Sequence, residues 1–193
     1  VCIGALTQAF FTLSLGIGSM AIFSLLLAVL VVADQVVKKL VEAKVKPLPD
    51  RTVVVIKNFF SLYYCENTGS AFSMFANQSW GIYFLSVVSV IMGLGIFILM
   101  IIALKNNMKL IALAFCLLSS GAIGNLIDRI SLRYVIDFLR FDFGSYTFPI
   151  FNIADICAVL GTILLICIII FGAKYFEKFW DIIFKKKESK NAD

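Results

Sequence analysis

Four stretches of this chain carry no charged residue for long enough, or nearly long enough, to cross a lipid bilayer. Leu13–Ala33 is charge-free for 21 residues, Gly81–Leu104 for 24, and Leu110–Ile127 and Ile156–Ala173 for 18 each. A helix needs roughly 20 apolar residues to traverse the hydrocarbon, so the two shorter runs are expected to reach into their polar flanks, the last over 154–173. Backbone amides out of reach of water must pair within their own segment, which leaves the helix as the form for such runs. The expected fold class is an all-α membrane protein: four transmembrane helices, with a small extracytoplasmic β element, forming one integral-membrane domain over 1–193.

Composition agrees and narrows the chemistry. The chain is 61% hydrophobic and 15% charged, whereas a soluble domain has about 45–50% apolar and about 25% charged residues. There is no histidine, which excludes Ser-His-Asp and Cys-His catalysis and a His-ligated zinc site. The five cysteines include no Cys-x-x-Cys pair. Cys116 and Cys167 fall in mid-span, Cys2 near the cytoplasmic end, and only Cys65 and Cys157 approach the outer face. Packing is their expected role, and a Cys65–Cys157 disulfide has no support in the spacing.

Residues 1–33 carry no charge, and no basic segment precedes the apolar run, so Leu13–Ala33 reads as a retained helix rather than a cleaved signal. Four spans place both termini on one side. That side holds eight Lys/Arg and the other nine, but six of the eight crowd into the last 20 residues. This density points to cytoplasmic termini. In the tail, over about 174–193, Phe176, Phe179, Trp180 and Ile183 recur at i, i+3, i+4 and i+7 opposite lysines. The pattern suits an interfacial helix, with Lys185–Lys187 drawn to anionic lipid; a solvated basic tail is the other reading of residues 185–193.

The β element falls between the first two spans, over about 44–76. Pro47 and Pro49 block helix there, and Thr52–Tyr64 is rich in Val, Ile, Phe and Tyr.

Topology gathers the polar residues. Asp34-Gln35 ends the first span, Asn125 to Arg129 ends the third, and Asn152 to Asp155 begins the fourth; the loops joining these ends carry Asn67 and Asp137. All lie on one membrane face, while the opposite turn offers only Lys105, Asn106, Asn107 and Lys109. Two clusters share the form Asn-x-x-Asp, which on a helix puts amide and carboxylate on one side. Each residue also has a plain structural reading. Asp128 beside Arg129 reads as a helix-end ion pair, Asp155 as a complement to the helix dipole, and Asn152 as an N-cap. Their convergence on one face favours a functional site.

Two carboxylates at close range resist joint ionisation and share a proton, one activating water while the other acts as acid. Asp155 is one candidate member, with Asp137 or Asp128 as the other. The Arg129 neighbour makes Asp128 a structural anion, and Asp137, in the apolar run Tyr134–Leu139 with no adjacent cation, is favoured.

The motifs Asp34-Gln35-x-x-Lys38, Asn67-Thr68-Gly69-Ser70-Ala71-Phe72, Gly121-Ala122-Ile123-Gly124-Asn125-Leu126-Ile127-Asp128-Arg129, Val135-Ile136-Asp137-Phe138 and Phe151-Asn152-Ile153-Ala154-Asp155 together resemble the lipoprotein signal peptidase (signal peptidase II) family. The resemblance covers about residues 20 to 175. It implies a bacterial inner-membrane aspartyl endopeptidase with four transmembrane helices and a small periplasmic β cradle. Such an enzyme cuts the signal peptide from a prolipoprotein just before its diacylglyceryl-modified cysteine. By the same resemblance Asp137 and Asp155 are the catalytic dyad. Asn67, Asn125, Arg129 and Asn152 line or brace the substrate site, and Asp34, Lys38 and Asp128 support it. No metal or other cofactor is implied, and globomycin is the expected inhibitor. The expected partners are prolipoproteins and the bilayer, without nucleic acid, and the expected state is a monomer. Two features depart from the family pattern: a long Glu42–Lys57 stretch, and Ile156-Cys157 where a small hydroxyl residue is common. An ion or proton transporter using the same carboxylates is the alternative, and it predicts mid-membrane charges or repeated broken helices.

Overall fold

A computed structural model describes residues 2–68 and 81–184, with side chains from 18 to 68 and from 83 to 184. The Gly69–Phe72 part of the Asn67 motif, the end of the β region over 69–76, and Lys185–Lys187 lie outside the described residues.

Among the described residues, five helices and four strands follow in the order α1 (Cys2–Lys44), β1 (Thr52–Ile56), β2 (Phe60–Asn67), α2 (Gly81–Lys105), α3 (Lys109–Leu132), β3 (Val135–Phe143), β4 (Tyr146–Thr147), α4 (Ile153–Phe171) and α5 (Ala173–Phe184). Among the described residues, four helical segments are long and apolar enough to cross a membrane: Gly18–Lys44, Tyr83–Lys105, Lys109–Leu132 and Ile153–Phe171. The architecture is therefore the expected one, four long apolar helices with a small antiparallel sheet. Side chains such as Ile22, Leu25, Ile91, Leu94, Ile163 and Ile170 are exposed on the outside of the bundle, which in lipid carries no penalty.

The first helix does not stop at its first charge. It runs ten residues beyond Asp34, because Asp34 and Lys38 pair with each other at i,i+4. Val41 in its last turn and Val45 just past its end are buried with Tyr64, Ile136 and Phe138 of the sheet. The helix ends ahead of Pro47, whose ring disfavours helical geometry in the residue before it.

Where the sequence suggested one β segment, the structure folds it into a hairpin turned through Asn58 at positive φ. The sheet order is β1-β2-β3-β4, all antiparallel. An irregularity in register between Leu62 and Cys65 lets β2 resume pairing with Cys65 opposite Asp137 and Asn67 opposite Val135. The α3 helix closes on Arg133 in the left-handed conformation and the chain passes at once into β3.

One further connection positions the site. Phe151 is stitched to β3, its carbonyl accepting from Leu139 N–H at 2.8 Å and from Phe138 N–H at 3.0 Å. The start of α4 is thereby pinned beside the strand that carries Asp137. At the other end of the bundle, Met100, Met108, Ile111, Phe115, Ile168 and Phe179 form the main apolar cluster. Among the described cysteines, Cys65, Cys116, Cys157 and Cys167 are free thiols.

Candidate active site

The site is built from α1, α3 and α4, closed above by β2 and β3. Its foundation is a buried ion cluster. Lys38 donates to Asp34 at 2.8 Å and to Asp128 at 2.9 Å, with Lys38 and Asp34 each only 1% exposed. Its third donor goes to Asn125 Oδ1 at 3.1 Å. A buried ammonium with all three donors engaged meets the condition under which such a charge is tolerated away from water. The carboxylates are satisfied as fully. Asp34 accepts from the Ala154 backbone N–H at 2.9 Å; Asp128 accepts from Ile136 N–H at 3.1 Å and from the Gln35 amide at 2.9 Å. One cluster thus ties α1 to α3, to the start of α4 and to β3.

The expected Asp128–Arg129 ion pair is not formed, and Asp128 pairs with Lys38 instead. Consecutive residues on a helix point about 100° apart, so Asp128 faces α1 while Arg129 faces the cavity and α2, donating to Ser89 Oγ at 3.4 Å. Asp128 is thus ion-paired, but with a different cation from the one its sequence neighbour suggested. Gln35 carries more than its place beside Asp34 suggested: its amide also donates to the Gly124 carbonyl at 3.1 Å. Gly124 itself permits this closeness, since a Cβ there would lie 2.8 Å from Asp34 Oδ2 and 2.9 Å from the Ala154 Cβ.

Above the ion cluster, amides hold two further carboxylates. Asn125 divides its functions: its carbonyl faces Lys38 and Asn152, so its NH₂ faces outward and donates to Asp155 Oδ1 at 2.8 Å. Asn152, wholly buried, forms a capping box with Asp155; its Oδ1 accepts from Asp155 N–H at 2.9 Å and its own N–H donates to Asp155 Oδ2 at 3.1 Å. The Asn152 amide then donates to Asp137 Oδ1 at 2.7 Å, and Asn67 donates to Asp137 Oδ2 at 2.9 Å. The helix-capping and functional readings of Asn152 and Asp155 are therefore compatible. The two Asn-x-x-Asp clusters differ, for Asn125 serves Asp155 on another helix rather than its own Asp128.

Asp137 is 3% exposed. Burial, reinforced by the nearby charge of Asp155, pushes its carboxyl up from 3.8 to about 7. A carboxyl so placed holds or releases a proton near neutrality, as general acid–base chemistry requires. Asp137 and Asp155 both line a cavity of about 330 Å³, with Asn67, Asn125 and Arg129 around it. Its remaining wall is apolar, from Phe148 to Phe151 on one side and Ala158 and Val159 on the other. Val159 is exposed on the outside of α4, so the cavity borders the lipid-facing surface. Arg129 Nε is buried without a partner among the described residues, one donor left over in the wall.

A bundle of apolar helices with two amide-held aspartates in a single cavity at one end defines a multi-pass membrane protein equipped for carboxylate chemistry. Residues 26–171 match the family described as Signal peptidase (SPase) II, and the chain belongs to that family of membrane peptidases. It is 50% identical over 119 residues to the lipoprotein signal peptidase of Clostridium tetani, spanning 61% of this chain and 74% of that protein. To the lipoprotein signal peptidase of Clostridium acetobutylicum it is 36% identical over 147 residues, spanning 76% and 92% respectively. A solved structure described as a bacterial membrane enzyme superposes with a TM-score of 0.66 at 27% identity, covering 78% of this chain and 93% of that one.

Proposed function

We propose that this protein removes signal peptides from prolipoproteins as an aspartic endopeptidase, cutting before a diacylglyceryl-modified cysteine, with Asp137 and Asp155 as its catalytic pair. The observation that carries the reading is the shared set of donors: Asn152 bonds both carboxylates, and both line one cavity bordering lipid. Family membership supplies the substrate class, since the relatives are lipoprotein signal peptidases.

In this mechanism the pair shares one proton. The ionised carboxylate takes a proton from water, whose oxygen attacks the scissile carbonyl carbon while the protonated partner donates to the carbonyl oxygen. Collapse of the tetrahedral intermediate returns a proton to the amine nitrogen as the C–N bond breaks. Arg129 and Asn67, in the cavity wall, are the donors available to the developing oxyanion. A lipid-modified substrate reaches such a cavity by lateral diffusion within the bilayer. The reading places the protein in the inner membrane as a monomer, with cytoplasmic termini and the aspartates at the extracytoplasmic face. Asp34, Lys38, Asp128, Asn125 and Asn152 hold the pair in place.

A gel-shift assay on a diacylglyceryl-modified precursor tests this directly. Cleavage before the lipidated cysteine, blocked by globomycin, is the expected result. Proton flux in liposomes without any cleavage would replace the peptidase with a transporter.

A further inference from the structure

The last helix, α5, lies at the end of the bundle away from the aspartates and takes no part in the site. Its conformation is nonetheless specific. Gly172 leaves helical geometry at φ −119°, ψ 34°, and its carbonyl immediately accepts from the N–H groups of Tyr175 and Phe176 at 2.8 and 3.0 Å. The chain therefore turns sharply and starts a new helix. That helix folds against the bundle, because Phe179 is 2% exposed and its ring centroid is 5.7 Å from that of Phe115 in α3. Tyr175, Ile182 and Ile183 pack against the same cluster.

This contact fixes the depth of α5. Phe115 lies about 9 Å along α3 from Lys109, at the 1.5 Å rise of a helix. The α5 helix thus runs beside the terminal turns of the spans rather than beyond them. It also carries a second apolar surface, exposed at Trp180 and Phe184, with Phe176 partly buried against the bundle cluster. Phe176, Trp180 and Phe184 recur every fourth residue and their rings adjoin, at 6.4 and 4.2 Å between centroids. Trp180 is 51% exposed, and Phe171, the last residue of α4, is 85% exposed. Lys174, Glu177 and Lys178 are exposed on the remaining face.

We infer that α5 is an in-plane membrane helix, its exposed Trp180 and Phe184 rings embedded at the headgroup–acyl boundary of the leaflet opposite the aspartates. The occupant of that surface is lipid. Depth, and the preference of Trp and other amphipathic rings for that boundary, both point to it. Phe179 then has a separate task, closing the apolar end of the bundle from beneath.

The chain has two tryptophans, so Trp80→Phe leaves Trp180 as the sole reporter in the full-length protein reconstituted into phosphatidylethanolamine–phosphatidylglycerol vesicles. The expected result is blue-shifted emission, strongly quenched by lipids brominated near the glycerol end of the acyl chain and little affected by aqueous iodide. Efficient iodide quenching without bromolipid quenching would overturn the inference. So would bromolipid quenching that is lost at high protein-to-lipid ratio, which would make a second copy the occupant. If Trp80→Phe lowers the yield, the same signal is read as the difference between the native chain and Trp180→Phe.

Discussion

Asn152 donates its side-chain amide to Asp137 at 2.7 Å while its carbonyl oxygen caps the helix that carries Asp155. A single buried side chain thus sets the position of one aspartate and the start of the helix bearing the other. The two tasks are separable. Serine retains an N-cap acceptor but has no amide to reach Asp137 or Asn125. Asn152→Ser is expected to leave the thermal midpoint in detergent close to that of the native protein and to lower kcat for precursor cleavage about 100-fold, the scale of a small misplacement of a reacting group. Native activity would show that the bridge is dispensable.

Asp137→Asn and Asp155→Asn are each expected to abolish cleavage, a loss of ~100- to 10,000-fold for removal of an acid–base group, with membrane insertion unchanged. Precursor cleavage and carbonate extraction of membranes read the two properties separately. Full activity in either variant refutes the pair.

Much of this arrangement was legible in the sequence, because the four helices needed only long charge-free runs, and the aspartates stood at their ends. What was not legible was pairing across distance. Arg129 is next to Asp128 in the chain and turned away from it in space, whereas Lys38 arrives from another helix. The β3 strand was hidden for a related reason: Val135, Ile136, Asp137 and Phe138 are all buried, so the first half shows no alternation. The signal lay further on, in Leu139-Arg140-Phe141-Asp142-Phe143, which alternates as a strand should. Gly124 was visible as part of a motif, but only the position of Asp34 explains it.

Asp128→Asn tests the ion cluster rather than the chemistry. It leaves Lys38 with one carboxylate and replaces with an amide nitrogen one of the two oxygens that accept from Ile136 and from Gln35. Breaking a buried pair costs about 3–5 kcal/mol, so the expected outcome is loss of folded protein on size-exclusion chromatography and a lowered thermal midpoint. A stable but inactive protein would instead move Asp128 into the catalytic group.

Gly124→Ala drives a methyl group against Asp34 and Ala154, with an expected cost of about 1–3 kcal/mol, as for other overpacked sites. Gly95→Ala in α2 meets nothing within 4 Å and is expected to be neutral or slightly stabilising. Thermal midpoints of the two variants, measured side by side, distinguish close packing from a general intolerance of helix substitution.

The raised Asp137 carboxyl sets a pH dependence whose sign is fixed. The native state holds a proton that the unfolded chain releases near 3.8, and gives it up only near 7. Stability from this group is full below about pH 4 and is lost as pH rises to 7, on the order of 4 kcal/mol across the window. Asp137→Asn flattens that slope in a series of thermal melts. Cleavage by the native protein declines above pH 7, as the shared proton leaves; a rate that keeps rising to pH 9 contradicts the proton-sharing pair.

The contact between Asp34 and the Ala154 backbone joins the first membrane helix to the last. During synthesis α1 is inserted long before α4 exists, and until then Asp34 lacks that partner. The carboxylate cluster at that end of the bundle therefore closes in one late event, when the final membrane helix docks and brings Ala154, Asn152 and Asp155 to the residues already in place.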